Sequence, residues 1–377
     1  MKKKFIFLVA SIICCLTTFG QSCLPEGIIF TSQSAVDSFQ IKFPNCTEIE
    51  GSVTIAGPYN ITNLNGLSVL TSIKGNLNLE SNFMLINFIG LGELKAIGGN
   101  VYIYNNGLLG FSGLNKLTTI KGNFIVAQNW KLLNFKGLER LNYIGGNVTI
   151  EYNDSLVELK GLDSLKNIGG SFEVYYEDHL KDLSGLNNLD SINGDLLIHN
   201  NDSLISLNGL KNLTSISGRL NLYDNPLLES INEIDHINPK SISSIIITRN
   251  SVLGRCAIQS ICEFLSNPGG TVEIHDNAPG CDNQEEVQIG CDTLGIIPNF
   301  SHKNFFIYPN PAYEKVSIIN INGSESFKVT IFNQIGQSVF SGNLINQAIE
   351  LVSFPVGIYL IEIISQDKVY KAKLIKN

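Results

Sequence analysis

The residue types that could do chemistry are scattered along this chain. Five histidines stand at His179, His199, His236, His275 and His302. Asp235-His236 is the one acid–histidine neighbour pair, and it falls in an irregular stretch that reads as a solvated turn. There is no GxSxG elbow, HExxH helix, P-loop or GxGxxG opening a helix. Carboxylates such as Asp154, Asp163 and Asp202 occupy turn positions. Glycoside hydrolysis needs two carboxyl groups about 5–10 Å apart, and no spacing marks such a pair. Glu285-Glu286 reads as a solvated patch. Asp- and Asn-rich turns offer oxygens to calcium, but the acidic nonapeptide spacing of calcium solenoids is missing. The expectation is a protein that is no enzyme and uses neither cofactor nor metal.

Eight cysteines remain to be placed. Cys14 and Cys15 fall in a leader described next, which leaves Cys23, Cys46, Cys256, Cys262, Cys281 and Cys291. None forms CxxC, so a zinc knuckle is excluded. An even count in an exported chain implies disulfides. Two cysteines precede a long repeat and four follow it. Cys23–Cys46 is the natural first pair, and the other four allow three pairings.

Residues 1–20 read as a secretory signal peptide. Lys2, Lys3 and Lys4 form its basic start, and Phe5 to Leu16 its apolar stretch. Small residues then precede a cleavage point ahead of Gln21. The apolar stretch is too short for a spanning anchor. A lipid anchor on Cys23 would need an apolar residue that Gly20-Gln21-Ser22 lacks. The whole chain has 377 residues and a formal charge of −8. Without the leader lysines, 23 basic residues face 34 acidic ones, a charge of −11. That balance excludes a nucleic-acid partner. A hydrophobic fraction of 44% fits a folded chain, and no long apolar run after the leader reads as a membrane span.

Self-similarity organises the rest. Isoleucine recurs at Ile49, Ile73, Ile97, Ile120, Ile144, Ile168, Ile192 and Ile216, with one spacing of 23 and the others 24. Taking each Ile as offset 0, apolar residues fill offsets 0, 4, 6, 12, 15, 18 and 21 of all eight units. This requires a one-residue deletion placed between Leu109 and Phe111. No single helical stripe fits a 24-residue period, so each unit is one coil of a solenoid whose neighbours share a core. Glycine recurs at offset 2 and near offset 17, for positive φ or close backbone approach. Asn82, Asn106, Asn129, Asn153, Asn201 and Asn225 at offset 9 predict a side-chain ladder, broken by Pro58 and Glu177. Alternation at offsets 3 to 7 predicts one strand per coil, stacked into a parallel sheet about 35–40 Å long.

Offsets 5, 7 and 8 point away from the core. They carry Tyr102, Tyr104, Glu151, Tyr152, Glu173, Tyr175, Tyr176, His199 and Tyr223. Tyrosine offers a large amphipathic contact at little entropy cost, which suits protein or sugar binding. Plain β-propensity on an exposed sheet explains the same residues. Trp130, at offset 10, is either a ligand platform or a cover over the coil edge.

The units resemble leucine-rich repeats, and in particular the receptor L-domain variety, GLxxLxxIxGxLxIxxNxxL. The resemblance implies a right-handed β-solenoid over residues 49–241. Thr31 to Phe43, with Ser32 or Ser34 as N-cap, reads as a capping helix within a cap at 21–48. At the other end, a cap at 242–291 contains a strand through Ile245-Ile246-Ile247, a helix from Cys256 to Leu265 and a strand from Thr271 to His275.

Asp292 to Asn304 reads as a linker. Residues 305–377 show short segments, Val316 to Ile321, Lys328 to Phe332, Ser338 to Phe340 and Tyr359 to Ile364, between turns: a small all-β sandwich, Ig-like in character. Tyr308-Pro309-Asn310-Pro311, Asn333-Gln334-Ile335-Gly336-Gln337, Pro355-Val356-Gly357-Ile358-Tyr359 and a basic end with Lys373 and Lys376 are similar to the type A C-terminal sorting domain of type IX secretion. The two lysines stand three apart, not four as in some members. The resemblance implies the type IX machinery as a partner and a secreted or outer-membrane surface location in a Gram-negative bacterium. The expected function is surface binding or adhesion toward an extracellular protein or glycan. The alternatives are a polymer-degrading hydrolase and a structural surface-coat component.

Overall fold

The computed structural model describes residues 21–294, 305–308, 312–320, 326–344, 348–365 and 368–376. The leader, His302, Pro309, Asn310, Pro311 and linker residues 295–304 lie outside the described residues. Among the described residues, no helix is long and apolar enough to cross a membrane.

The repeat winds as stacked coils, and it carries two parallel sheets where the sequence predicts one. The longer has eleven strands, from Ile28–Phe30 through Val148–Glu151 to Val272–His275. The second has nine, from Gln21–Cys23 to Ser215–Ile216, mostly two residues each. Its strands hold the offset-0 isoleucines, and two residues are too few to show an alternation. Coiling also runs past the eight units, with one long-sheet strand before them and two after.

The apolar offsets form one continuous core. One position differs from expectation. Leu109 is 45% exposed, and Leu108 fills the core slot in its place. The deletion therefore falls earlier, between Asn106 and Leu108, where Gly107 lies so close to the coil below that a Cβ would sit 2.1 Å from the Phe83 carbonyl oxygen.

Both glycine columns permit close stacking, with a Cβ at Gly137 lying 2.1 Å from the Phe111 carbonyl oxygen, and the second column adds a positive φ. At Gly146 a Cβ would stand 2.2 Å from the Asn123 side-chain oxygen, so the offset-2 glycines serve close stacking. Gly137, from the second column, has φ +113°, a region that favours glycine.

The asparagine ladder is buried and longer than predicted, continuing through Asn250 and Asn277. The side-chain amides donate to backbone carbonyls and, along most of the ladder, to the next Asn. Asn129, for example, donates to Ile103, Ala127 and Asn153 at 2.9–3.2 Å. Glu177 does not break it. Its Oε1 accepts from Asn153 in the place of an Asn oxygen, at 2.9 and 3.0 Å. At Pro58 the Asn column does end, and Asn82 accepts from the Gly57 N–H instead.

The ends are closed by helices. Ser32 accepts from the Ala35 N–H and caps Gln33–Asp37, which is followed by Phe39–Lys42. At the far end lie Gln259–Ser266 and a helix absent from the sequence reading, Gln284–Leu294. Asp292 therefore belongs to this helix and not to a linker. Glu286 is no free patch either, since its carboxylate accepts from the Gly280 and Asp282 N–H groups. Asp235 accepts from the Gln259 N–H at 2.5 Å, capping the helix of a neighbouring coil.

The C-terminal unit holds a three-stranded and a four-stranded antiparallel sheet around one core. Lys368–Lys376 is a nine-residue strand paired to Gly357–Ser365, where the sequence shows a basic end. Ala372 and Leu374 point into the core between its lysines.

Candidate functional site

The outward face of the long sheet is where the candidate ligand residues fall. Inward positions such as Val148 and Ile150 are buried, so Thr149 and Glu151 must face out. Parallel pairing then stacks equal offsets of successive coils. Glu151, Tyr175, His199 and Tyr223 form one column. Tyr152, Tyr176, Asn200 and Asp224 form the next, at the residue after each strand.

Within these columns the rings stack. Tyr152 and Tyr176 lie 4.6 Å apart with planes 13° from parallel. His199 is sandwiched between Tyr175 at 4.8 Å and Tyr223 at 4.7 Å. Tyr175 crosses both Tyr152 and Tyr176 edge-on, joining the two columns. The Tyr175 hydroxyl donates to Glu151, and His199 Nε2 lies 3.4 Å from Glu173. Burial, and then the Glu151 contact, push the Tyr175 hydroxyl well above the usual tyrosine range. Burial and neighbouring tyrosine hydroxyls and carboxylates raise Tyr102, Tyr152 and Tyr223 as well, so these hydroxyls keep their protons at neutral pH.

Tyr102 and Tyr104 are not part of this cluster. They stack on each other at 5.6 Å, but the coil between them and Glu151 carries Ile125 and the buried Ala127. The nine residues grouped from the sequence thus divide into a pair and a cluster in which Glu151, Tyr152, Tyr175, Tyr176, His199 and Tyr223 meet, with Glu173 beside His199.

Backbone conformation singles out two of the six. Tyr152 and Tyr176 have φ of +52° and +55°. Asn105 and Asn200 hold the same place in other coils at similar φ, and asparagine tolerates that region far better than tyrosine. Ser81, Gln128, Asp224, Arg249 and Asp276 hold the same place at φ of +55° to +58°, so the coil itself imposes this conformation and the two tyrosines share it.

Reading offsets one by one misses two polar features beside the cluster. Asn76, Asn100, Asn123 and Asn147 form a second ladder at offset 3, each accepting the backbone N–H one coil on at 2.7–2.9 Å. Ser171 and Asp195 continue it, and Asp195 also takes the Arg219 guanidinium at 2.8 and 3.0 Å. Partial burial opposes ionisation of Asp195, but the Arg219 bonds outweigh it and hold the carboxyl below its usual range. Asn200 donates to Asp224 at 2.8 Å. Comparing one offset across all coils is the signal that finds both.

The remaining residues lie elsewhere. Trp130 is half-exposed on the turn side, with the Lys131 ammonium 4.3 Å from its ring. Asp163 accepts from the Gly161 N–H in its own turn, and His179 meets the Asp154 carbonyl. The disulfides are Cys23–Cys46, Cys256–Cys281 and Cys262–Cys291. In the C-terminal unit, Tyr359 is buried and donates to the Pro355 carbonyl at 2.7 Å, two residues before Gly357 opens its strand. Lys373 and Lys376 pair across from Leu360 and Gly357. Asn333 accepts from the Ile335 and Gln337 N–H groups and shapes the hairpin turn.

Comparison with known families agrees with both units. Residues 142–291 match the Receptor L domain model, although the coil register extends upstream of that match. Residues 306–377 match the secretion system C-terminal sorting domain model. No curated protein matches the chain. The chain therefore joins a receptor L-domain solenoid to a type IX sorting domain, which takes it to the cell surface or out of the cell.

Proposed function

We propose that this is an exported binding or adhesion protein, and not an enzyme, that presents the outward face of its long sheet to an extracellular partner. The observation that carries this reading is the cluster of Tyr152, Tyr175, Tyr176, His199 and Tyr223, stacked across four coils of a rigid sheet. Rings already locked by their neighbours lose little freedom on binding, so contact area is gained at small entropic cost.

The test is a binding screen of the exported chain against extracellular matrix proteins and glycans. A variant with Tyr175 and Tyr176 changed to Ser is compared with one in which Tyr102 and Tyr104 are changed. The expected result is a ligand lost only in the first variant, at an unchanged melting temperature. A ligand retained by both variants would move the search to the turn side and Trp130.

A further inference from the structure

Charge is sorted between the sides of the solenoid. Outward positions of the long sheet carry Glu80, Glu151, Glu173 and Glu273, while Asp195 precedes one of its strands and Asp224 and Asp276 follow others. Eleven lysines lie between residues 49 and 291, and none stands on a strand of that sheet. Arg219 is the one arginine on those strands, and Asp195 already holds it. The lysines occupy the other sides of the coil, as with Lys131, Lys136 and Lys160. Arg249 follows the strand Ser244–Thr248, and with Arg219 it is outnumbered by the carboxylates of this face, so the face attracts positive charge and repels negative charge.

The ring geometry narrows the choice further. A sugar that packs on tyrosine needs an open ring face. Both faces of His199 are covered, and Tyr175 and Tyr223 each lose one to it. Tyr152 and Tyr176 cover each other. Beside the ring faces left at the ends of the stacks, the cluster presents ring edges and hydroxyl oxygens next to carboxylates, a set of acceptors that fits ammonium and guanidinium donors.

We infer that this face binds a cationic protein segment, rich in arginine or lysine, laid along the sheet between the carboxylates and the edges of the stacked rings. The inference rests on the binding reading above and specifies the partner's chemistry.

The test titrates the full-length chain with an oligoarginine peptide, an uncharged peptide of equal length and a neutral oligosaccharide. Glu151→Gln with Glu173→Gln removes charge from the face while keeping shape. Glu158→Gln with Glu229→Gln removes the same charge from the turn side. Oligoarginine is expected to bind the parent, to weaken with added salt, and to lose about tenfold in affinity in the first variant only. Melting temperatures of both variants establish that they fold, and Asp224→Asn replaces the first variant if it does not. Equal binding to both variants, or no oligoarginine binding at all, overturns the inference. An oligosaccharide that binds and depends on Tyr175 and Tyr176 would also overturn it, yet would leave the face standing as a binding surface. Loss of every ligand-dependent effect of the tyrosines would remove the binding reading itself.

Discussion

Glu177 replaces an asparagine in the buried ladder, and one of its carboxyl oxygens accepts both the backbone N–H and the side-chain amide of Asn153. The other oxygen is buried and has no partner among the described residues. At this place an asparagine puts its amide, which donates to backbone carbonyls, as Asn153 does to Val126 and Glu151. A carboxylate cannot donate, whereas a protonated carboxyl can. Burial raises the Glu177 pKa well above the usual carboxylate range, against the lowering effect of the Asn153 bonds. Asp154 and Asp178 add to the rise.

The sign of the pH effect follows. The folded chain keeps a proton that an unfolded glutamate releases above about pH 4.3. The stability from this group is complete below that value and is lost as pH rises toward the folded-state pKa. Glu177→Asn supplies a donor that does not titrate. It should raise stability by about 1–3 kcal/mol near neutral pH, with a smaller gain near pH 4. Thermal melts of both proteins across this range check the claim. A gain independent of pH would mean that Glu177 is ionised in the fold.

The offset-2 glycines predict a steep contrast between two chemically identical changes. At Gly170 a Cβ would lie 2.1 Å from the Asn147 side-chain oxygen, which also holds the Ser171 N–H. At Gly92 nothing lies within 4 Å. Gly170→Ala should destabilise by about 2 kcal/mol or more, through separation of two coils. Gly92→Ala should change stability by no more than about 0.5 kcal/mol. Denaturant midpoints of the two variants measure the difference.

The parts of the fold that show in the sequence are those repeated in every coil. Ile at offset 0, Gly at offset 2 and Asn at offset 9 each impose the same local chemistry many times over, so chance cannot imitate them. Features that occur once are hidden. Leu108 and Leu109 are chemically alike, and only packing decides which enters the core. The second sheet rests on two residues per coil, below the length at which alternation is visible. The final strand is masked by lysines that alternate with Tyr370, Ala372 and Leu374. The outward aromatic face is legible as composition, but its division is not: Ala127 looks like an ordinary strand residue until register sets it between Tyr104 and Glu151.

Four cysteines allow three pairings, and the fold selects Cys256–Cys281 with Cys262–Cys291. Both join the helix region at 256–266 to the chain that follows, closing the end of the core. Peptide mapping without reduction should recover these two links and Cys23–Cys46. Removing Cys262–Cys291 by a double Ala change opens a loop of 29 residues and should cost about 3 kcal/mol. Its effect should concentrate at the C-terminal end, measured by hydrogen exchange, because each coil of a solenoid contacts only its neighbours.

The positive φ of Tyr152 and Tyr176 sets strain against stacking, and a double-mutant cycle separates them. Asparagine is the natural replacement, since Asn105 and Asn200 already occupy the equivalent places. Each Tyr→Asn change relieves strain of about 1 kcal/mol. Either change alone also removes the ring contact at 4.6 Å, a contact worth about 0.5–1.5 kcal/mol. The single variants should therefore differ little from the parent in stability. The double variant relieves strain twice and loses the stack once, with one edge contact to Tyr175 lost per change, so it should be more stable than the two single changes sum to. The non-additive part of the cycle equals the stacking energy. A coupling of zero would mean that the rings do not stack in solution. A more stable double variant that no longer binds its ligand would mean that the face is kept for recognition at the expense of stability.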